Sequence, residues 1–127
     1  MRNETDEMRE EFIFEKLNVY QKSLELSIEI CKLCSVFPIK YSRIRDQLIG
    51  AIVSIPLNIA EGNGRKTNKD KINFYKIARS SSFECVPLLD ICLALGLIND
   101  ADKRRIRNII SEISRMLSGL MNYQNNK

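Results

Sequence analysis

Apolar residues along this chain recur at the three- and four-residue steps that place them on one side of an α-helix, and they do so in four successive blocks. In the first, Leu17, Tyr20, Leu24, Ile28 and Cys31 form one stripe, and Val19, Leu26, Ile30, Leu33 and Phe37 form a second beside it. This predicts a helix apolar over more than one narrow seam. Pro38 is expected to stop it, because proline biases the preceding residue out of the α region. The second block runs through Ile44, Leu48, Ala51, Ile52, Ile55 and Ile59, with Ser42 as its predicted cap and Gly62-Asn63-Gly64 as its predicted stop. Thr67 and Asp70 have the spacing of a capping box and open a third block, Ile72, Tyr75, Ala78, Ser82, Cys85, Leu89 and Cys92, which Gly96 ends. Asn99, followed by Asp100 and Asp102, predicts the start of a fourth helix lined by Ile106, Ile109, Ile110, Ile113, Leu117, Leu120 and Met121.

Four long helices joined by short connections predict an all-α fold, an up-down-up-down antiparallel four-helix bundle. The bundle is expected over residues 12–123, after an acidic N-terminal extension at 1–11 and before a frayed tail at 124–127. A chain of 127 residues suits one domain, and only five Gly and three Pro leave few turns for an all-β alternative. No stretch approaches the roughly 18 uninterrupted apolar residues of a membrane span. The charged opening MRNETDEMREE has no apolar leader region, so a cytoplasmic location with reduced cysteines is expected.

Two prolines fall inside predicted helices. Pro56 removes a backbone donor and crowds the preceding turn, which costs about 3 kcal/mol in a helix interior, so a kink or break is expected there, and a bend at Pro87. Asn58 and Glu61, three apart beside Pro56, share one side of the helix. Polar groups that reach an apolar seam must be paired, so a positional role in how helices or subunits meet is expected of them.

Histidine is absent, which excludes Ser-His-Asp and Cys-His catalysis and the Glu-x-x-His ligand sets of di-iron bundles. Cys31-Lys32-Leu33-Cys34 has C-x-x-C spacing but falls mid-helix, so core cysteine is the better reading, as for Cys85 and Cys92. Neither a metal nor a cofactor is expected. Gly62-Asn63-Gly64-Arg65-Lys66-Thr67 only echoes a phosphate loop, since it follows a helix rather than a strand. Glu61 and Glu84 are the only carboxylates placed for acid and base work, and with Arg65 and Arg79 as basic neighbours a structural ion-pair network is favoured over catalysis.

Charge changes the picture more. The net charge is +4, yet residues 40–79 alone hold nine bases against three acids. Arg65, Lys66, Lys69, Lys71 and Lys76 cluster around one connection, where a helix N-terminus adds oriented N–H groups that favour phosphate. A second cluster, Lys103, Arg104, Arg105 and Arg107, enters the fourth helix without the stacked aromatics of base-specific readers, so binding there would be mainly electrostatic. A solvated charged face is the rival reading of both.

The segments FEKLNVYQKSLELSIEI from Phe14, QLIGAIVSIPLNIAEGNGR from Gln47, FYKIARSSSFE from Phe74 and LGLI from Leu95 resemble the four-helix bundle proteins encoded by intervening sequences within bacterial 23S rRNA genes, the S23-type ribosomal proteins. The resemblance covers roughly residues 12 to 121, with Gly50 and Ile52 as small departures. It implies a homopentameric ring without known catalysis, and kinship with the accessory variability determinant proteins of diversity-generating retroelements, which bind a reverse transcriptase and nucleic acid. The positions that match its motif are Ser54, Pro56, Asn58, Glu61, Gly62, Gly64 and Arg65, with Ser81 and Glu84 on the facing helix, and they look structural or interfacial. A non-enzymatic homo-oligomer that binds RNA or a ribonucleoprotein through Arg65, Lys66, Lys69, Lys71, Lys76, Arg104 and Arg105 is therefore expected. A protein-interaction scaffold for a reverse transcriptase is the alternative.

Overall fold

Residues 12–127 are described by the computed structural model, and the acidic extension expected at 1–11 lies outside them. Among the described residues there are four α-helices and no strand: α1 (Asn18–Cys34), α2 (Ser42–Asn63), α3 (Asn68–Ala94) and α4 (Asp100–Asn125). Short 3₁₀ turns at Ile13–Lys16 and Ile39–Tyr41 precede α1 and α2. Each helix packs on the next and α1 also meets α4, so the apolar stripes close around one core that includes Ile30, Ile52, Ile59, Leu89, Ile113 and Leu117. No helix of the described residues is long and apolar enough to cross a membrane.

The caps show why the chain breaks where it does. Thr67 Oγ1 accepts from the Asp70 N–H at 3.1 Å, and Asn99 Oδ1 accepts from the Asp102 N–H at 2.7 Å, which satisfies donors that the first helical turn leaves unpaired. Gly96, at φ +72°, ends α3: its N–H bonds the Leu93 carbonyl and the Leu97 N–H bonds that of Cys92, the paired closure that a left-handed residue permits. Ser42 is not the cap of α2. Tyr41 holds that position without a side-chain bond, because the preceding 3₁₀ turn feeds directly into the helix. α1 likewise stops at Cys34, before Phe37, and Phe37 turns back into the core from the connection. At the other end α4 continues through Asn125 and buries Gln124, so helical order reaches into the tail expected to fray.

Neither internal proline breaks its helix. Pro56 is buried against α1, and its missing N–H would have bonded the Ile52 carbonyl one turn back. Ser27 Oγ of α1 lies 3.2 Å from that carbonyl and 2.8 Å from the carbonyl of Ser23, so its proton is shared between them. A neighbouring helix thus supplies the hydrogen bond that proline removed. Ser27→Ala should lower stability by about 1–2 kcal/mol, since it strands a buried acceptor. The loss should shrink in a Pro56→Ala background, where the restored N–H bonds Ile52; urea midpoints of the four variants measure this, and equal losses in both backgrounds would refute it.

Candidate nucleic-acid interface

The connection from α2 to α3 is built on a close approach. Gly62, in the last turn of α2, lies so near α3 that a Cβ there would stand 2.9 Å from Phe74 Cβ, 3.0 Å from Tyr75 Cε1 and 3.2 Å from the Lys71 carbonyl oxygen. Gly62 therefore acts by lacking a side chain, not by a special backbone angle; Gly64, the C-cap, is also right-handed at φ −80°. The end of α2 is then tied to α3 by Lys71, whose ammonium donates to the Asn63 carbonyl at 2.6 Å. Burial, with Lys127 nearby, holds the Lys71 pKa below the ordinary lysine value.

Of the five cations predicted here, two are engaged inside the chain. Lys71 closes α2, and Arg65 bonds Glu61 at 2.6 Å while its guanidinium lies 4.5 Å from the Phe74 ring centre. Lys66, Lys69 and Lys76 are exposed, and no carboxylate of the described residues pairs with them. The end of α4 adds a cation that sequence reasoning missed. Lys127 lines a cleft with Lys69 and Lys76, and the expectation of a frayed tail hid it.

The second basic cluster is different in kind. Lys103 pairs with Asp90 at 2.8 Å, Arg104 with Asp100, and Arg105 with Glu29 and Asp102. It is a mixed-charge surface, in which Arg104 and Arg105 are each held by a carboxylate of the same chain and Arg107 is exposed without a carboxylate partner among the described residues. Asp90 and Lys69 are also separated by roughly 30 Å along α3 at about 1.5 Å per residue, so the two clusters do not merge.

Of the remaining motif residues, Ser54, Asn58 and Ser81 form a polar link between helices. Ser54 Oγ and Ser81 Oγ are 2.8 Å apart, and Asn58 Nδ2 donates to the Ser54 carbonyl at 2.8 Å and to its hydroxyl at 2.9 Å, which joins α2 to α3. Glu61, expected to reach an apolar seam, is exposed instead, on the side of α2 that carries the exposed Leu57, where it pairs with Arg65. Glu84 is exposed and unpaired with Arg79. A five-residue step turns a helix by about 140°, whereas Phe83, four residues on, shares the face of Arg79 and takes its guanidinium at 5.3 Å. The cysteines are thiols of the interior: burial pushes Cys34 and Cys85 up to about 12 and raises Cys92. Cys31 is half-buried in an apolar groove of about 590 Å³ between α1 and α2, where Leu24, Ile28 and Leu57 are exposed.

Fold and site together define a class: an all-helical protein with unpaired lysines around the connection from α2 to α3 and an open apolar groove. Residues 15–119 match the family described as 23S rRNA-intervening sequence protein, and the chain belongs to that family. It is similar to a crystal structure of a protein with unknown function from the S23 ribosomal protein family of Bacteroides thetaiotaomicron VPI-5482, at 25% identity over 81% of this chain and 97% of that one, with a TM-score of 0.74. No curated protein matches it.

Proposed function

We propose that this protein is a non-catalytic homo-oligomer whose basic end binds RNA. The observation that carries the reading is the contrast between the two basic clusters. Lys66, Lys69 and Lys76 stand without carboxylate partners in and ahead of the first turns of α3, whereas three of the four cations of the second cluster, Lys103, Arg104 and Arg105, are paired within the chain and only Arg107 is not. Unpaired lysines at a helix N-terminus attract phosphate and release counterions when it binds, so affinity must depend on salt. The test is binding of structured RNA across a salt series by the wild type and by a Lys66→Glu, Lys69→Glu, Lys76→Glu triple variant. The variant should bind at least about tenfold more weakly, with the slope of log K against log salt reduced by about 2 to 3. Salt-insensitive binding, or an unchanged variant, would remove the RNA reading.

The apolar groove between α1 and α2 supports the assembly half of the proposal, an up-down-up-down bundle that forms a homopentameric ring in the cytoplasm. Leu57 is 63% exposed there beside Leu24 and Ile28, a surface suited to a second copy. Sedimentation equilibrium that reports only single chains at micromolar concentration would sink it. The same groove favours the rival, a scaffold for a protein partner such as a reverse transcriptase, in which the lysines only solubilise. The triple variant separates the two, because a scaffold keeps its partner and an RNA binder loses its ligand.

A further inference from the structure

Lys69, Lys76 and Phe83 follow one another at seven-residue steps, so they lie along one stripe of α3 that drifts by only about 20° per step. The stripe leads from the unpaired lysines to a second cleft, about 21 Å from Lys69 at about 1.5 Å per residue. This cleft of about 440 Å³ lies between the middle turns of α3 and α4, and its apolar lining is Phe83, Val86, Pro87 and Ile110. Arg107 and Arg115 line it from α4, and the Arg79 guanidinium lies 5.3 Å from the centre of the Phe83 ring. No carboxylate of the described residues pairs with any of these three arginines.

Two polar groups at the cleft lack partners. Ser114 lines it and is only 8% exposed, yet its hydroxyl makes no hydrogen bond within the described residues, and it is not sealed from solvent as Arg79 Nε is. The neighbouring Ser111 hydroxyl, by contrast, accepts from Arg115 at 3.0 Å. The second group is the Phe83 carbonyl, because Pro87, one turn on, has no N–H to give it. In α2 Ser27 makes good the same loss at Ile52; none of the side-chain hydrogen bonds of α3 and α4 does so for Phe83. The Phe83 ring itself is 54% exposed.

A ligand that answers all of this brings anions for the arginines, a flat or apolar body for the floor, and hydrogen-bonding groups for Ser114 and the Phe83 carbonyl. Inorganic phosphate has no such body. An acidic amphipathic helix brings charge and apolar side chains, but its own main-chain N–H and C=O groups are already used within it. A nucleotide of a single strand brings all three: phosphate, which guanidinium groups fork onto, and a base whose face stacks on an aromatic ring while its edge carries donors and acceptors.

We propose that this cleft takes one base of a single-stranded RNA, stacked on Phe83 with its edge on Ser114 and the Phe83 carbonyl and the flanking phosphates on Arg107 and Arg115. The inference rests on the RNA-binding reading above and deepens it: the strand leaves the lysines at the start of α3 and follows the groove between α3 and α4. Affinity then has a stacking component besides the electrostatic one.

The chain contains no tryptophan, so a Phe83→Trp variant of the full chain carries one such fluorophore, placed at the cleft. Its fluorescence is titrated with a short unstructured oligoribonucleotide, with polyphosphate of equal charge and with polyglutamate, while anisotropy of labelled RNA reports binding. The oligoribonucleotide should quench the variant in step with binding, and polyphosphate should displace the RNA from it and restore the emission. Phe83→Ala should bind the oligoribonucleotide at least about fivefold more weakly than the wild type and bind polyphosphate equally well. RNA binding that leaves the emission unchanged, or an oligoribonucleotide affinity that survives in Phe83→Ala, overturns the base site and leaves RNA binding standing. Quenching by polyglutamate that RNA does not reverse assigns the groove to an acidic protein partner and overturns the base site as well. Binding of no RNA at low salt overturns both readings.

Discussion

Replacing Gly62 with alanine is expected to lower the unfolding free energy by about 2 kcal/mol, even though alanine is the better helix former by about 1 kcal/mol. The added Cβ would meet three atoms at once, and none is the free end of a flexible side chain. Phe74 Cβ is next to the backbone, Tyr75 is 1% exposed and so held by its surroundings, and the Lys71 oxygen is backbone in α3. Relief requires that α2 and α3 move apart where their contact is closest, which loosens the Lys71 bond to the Asn63 carbonyl as well. For a chain of this size the melting temperature should fall by about 5–10 °C. Gly64→Ala is the matched control: its Cβ would meet the Ala60 and Glu61 carbonyl oxygens at 3.7 Å, ordinary contact, and its backbone is already right-handed. Thermal melts of the two variants decide the matter. If Gly62→Ala melts with or above the wild type, the close approach is not what selects glycine there.

Alkaline pH is expected to unfold this protein more steeply than a bundle without buried thiols. In the folded chain burial pushes the pKa of Cys34 and Cys85 up to about 12, with the nearby Cys92 second in its effect on Cys34 and Glu84 on Cys85. In the unfolded chain a thiol titrates near its usual value of about 8.5. Above that value the unfolded state gives up protons that the folded state retains, so stability is fully present below it and is lost as pH rises toward the folded value. Each thiol contributes a slope of about 1.4 kcal/mol per pH unit, and the two together about 3. Cys92 and Tyr75, both raised by burial, act in the same direction. Lys71, whose folded value is lowered, acts in the opposite direction, and only near the lysine range. Urea midpoints measured between about pH 8 and pH 10 should show a slope of this order, and Cys85→Ala should lower it by one thiol's share, up to about 1.4 kcal/mol per pH unit. A flat profile would mean that the thiolates reach solvent without unfolding.

Features that depend on residues close together in the chain are legible in the amino-acid sequence alone. The helical period places all four helices, and Thr67, Asn99 and Gly96 mark ends that close with bonds three to five residues long. The Arg65–Glu61 pair is legible for the same reason, since a four-residue step always brings two side chains together on a helix. Arg79 and Glu84 do not pair because a five-residue step carries them to different faces. Ser42 loses the capping position because a 3₁₀ turn ahead of it moves the helix start by one residue. The role of Ser27 is beyond such reasoning, because its partner, the Ile52 carbonyl, lies 25 residues away on another helix.

By itself, then, the sequence determined an all-helical chain, the placement of its helices, the absence of histidine chemistry and an excess of cations around the connection from α2 to α3. Those properties follow from residue type and short-range spacing, which the helical repeat converts directly into geometry. Only the tertiary structure decided which cations remain unpaired, why Gly62 admits no side chain, and that Gln124 and Lys127 reach the N-terminus of α3. These depend on distances between residues far apart in the chain, such as Arg105 from Glu29 or Lys127 from Lys69, and such distances are set when the helices pack.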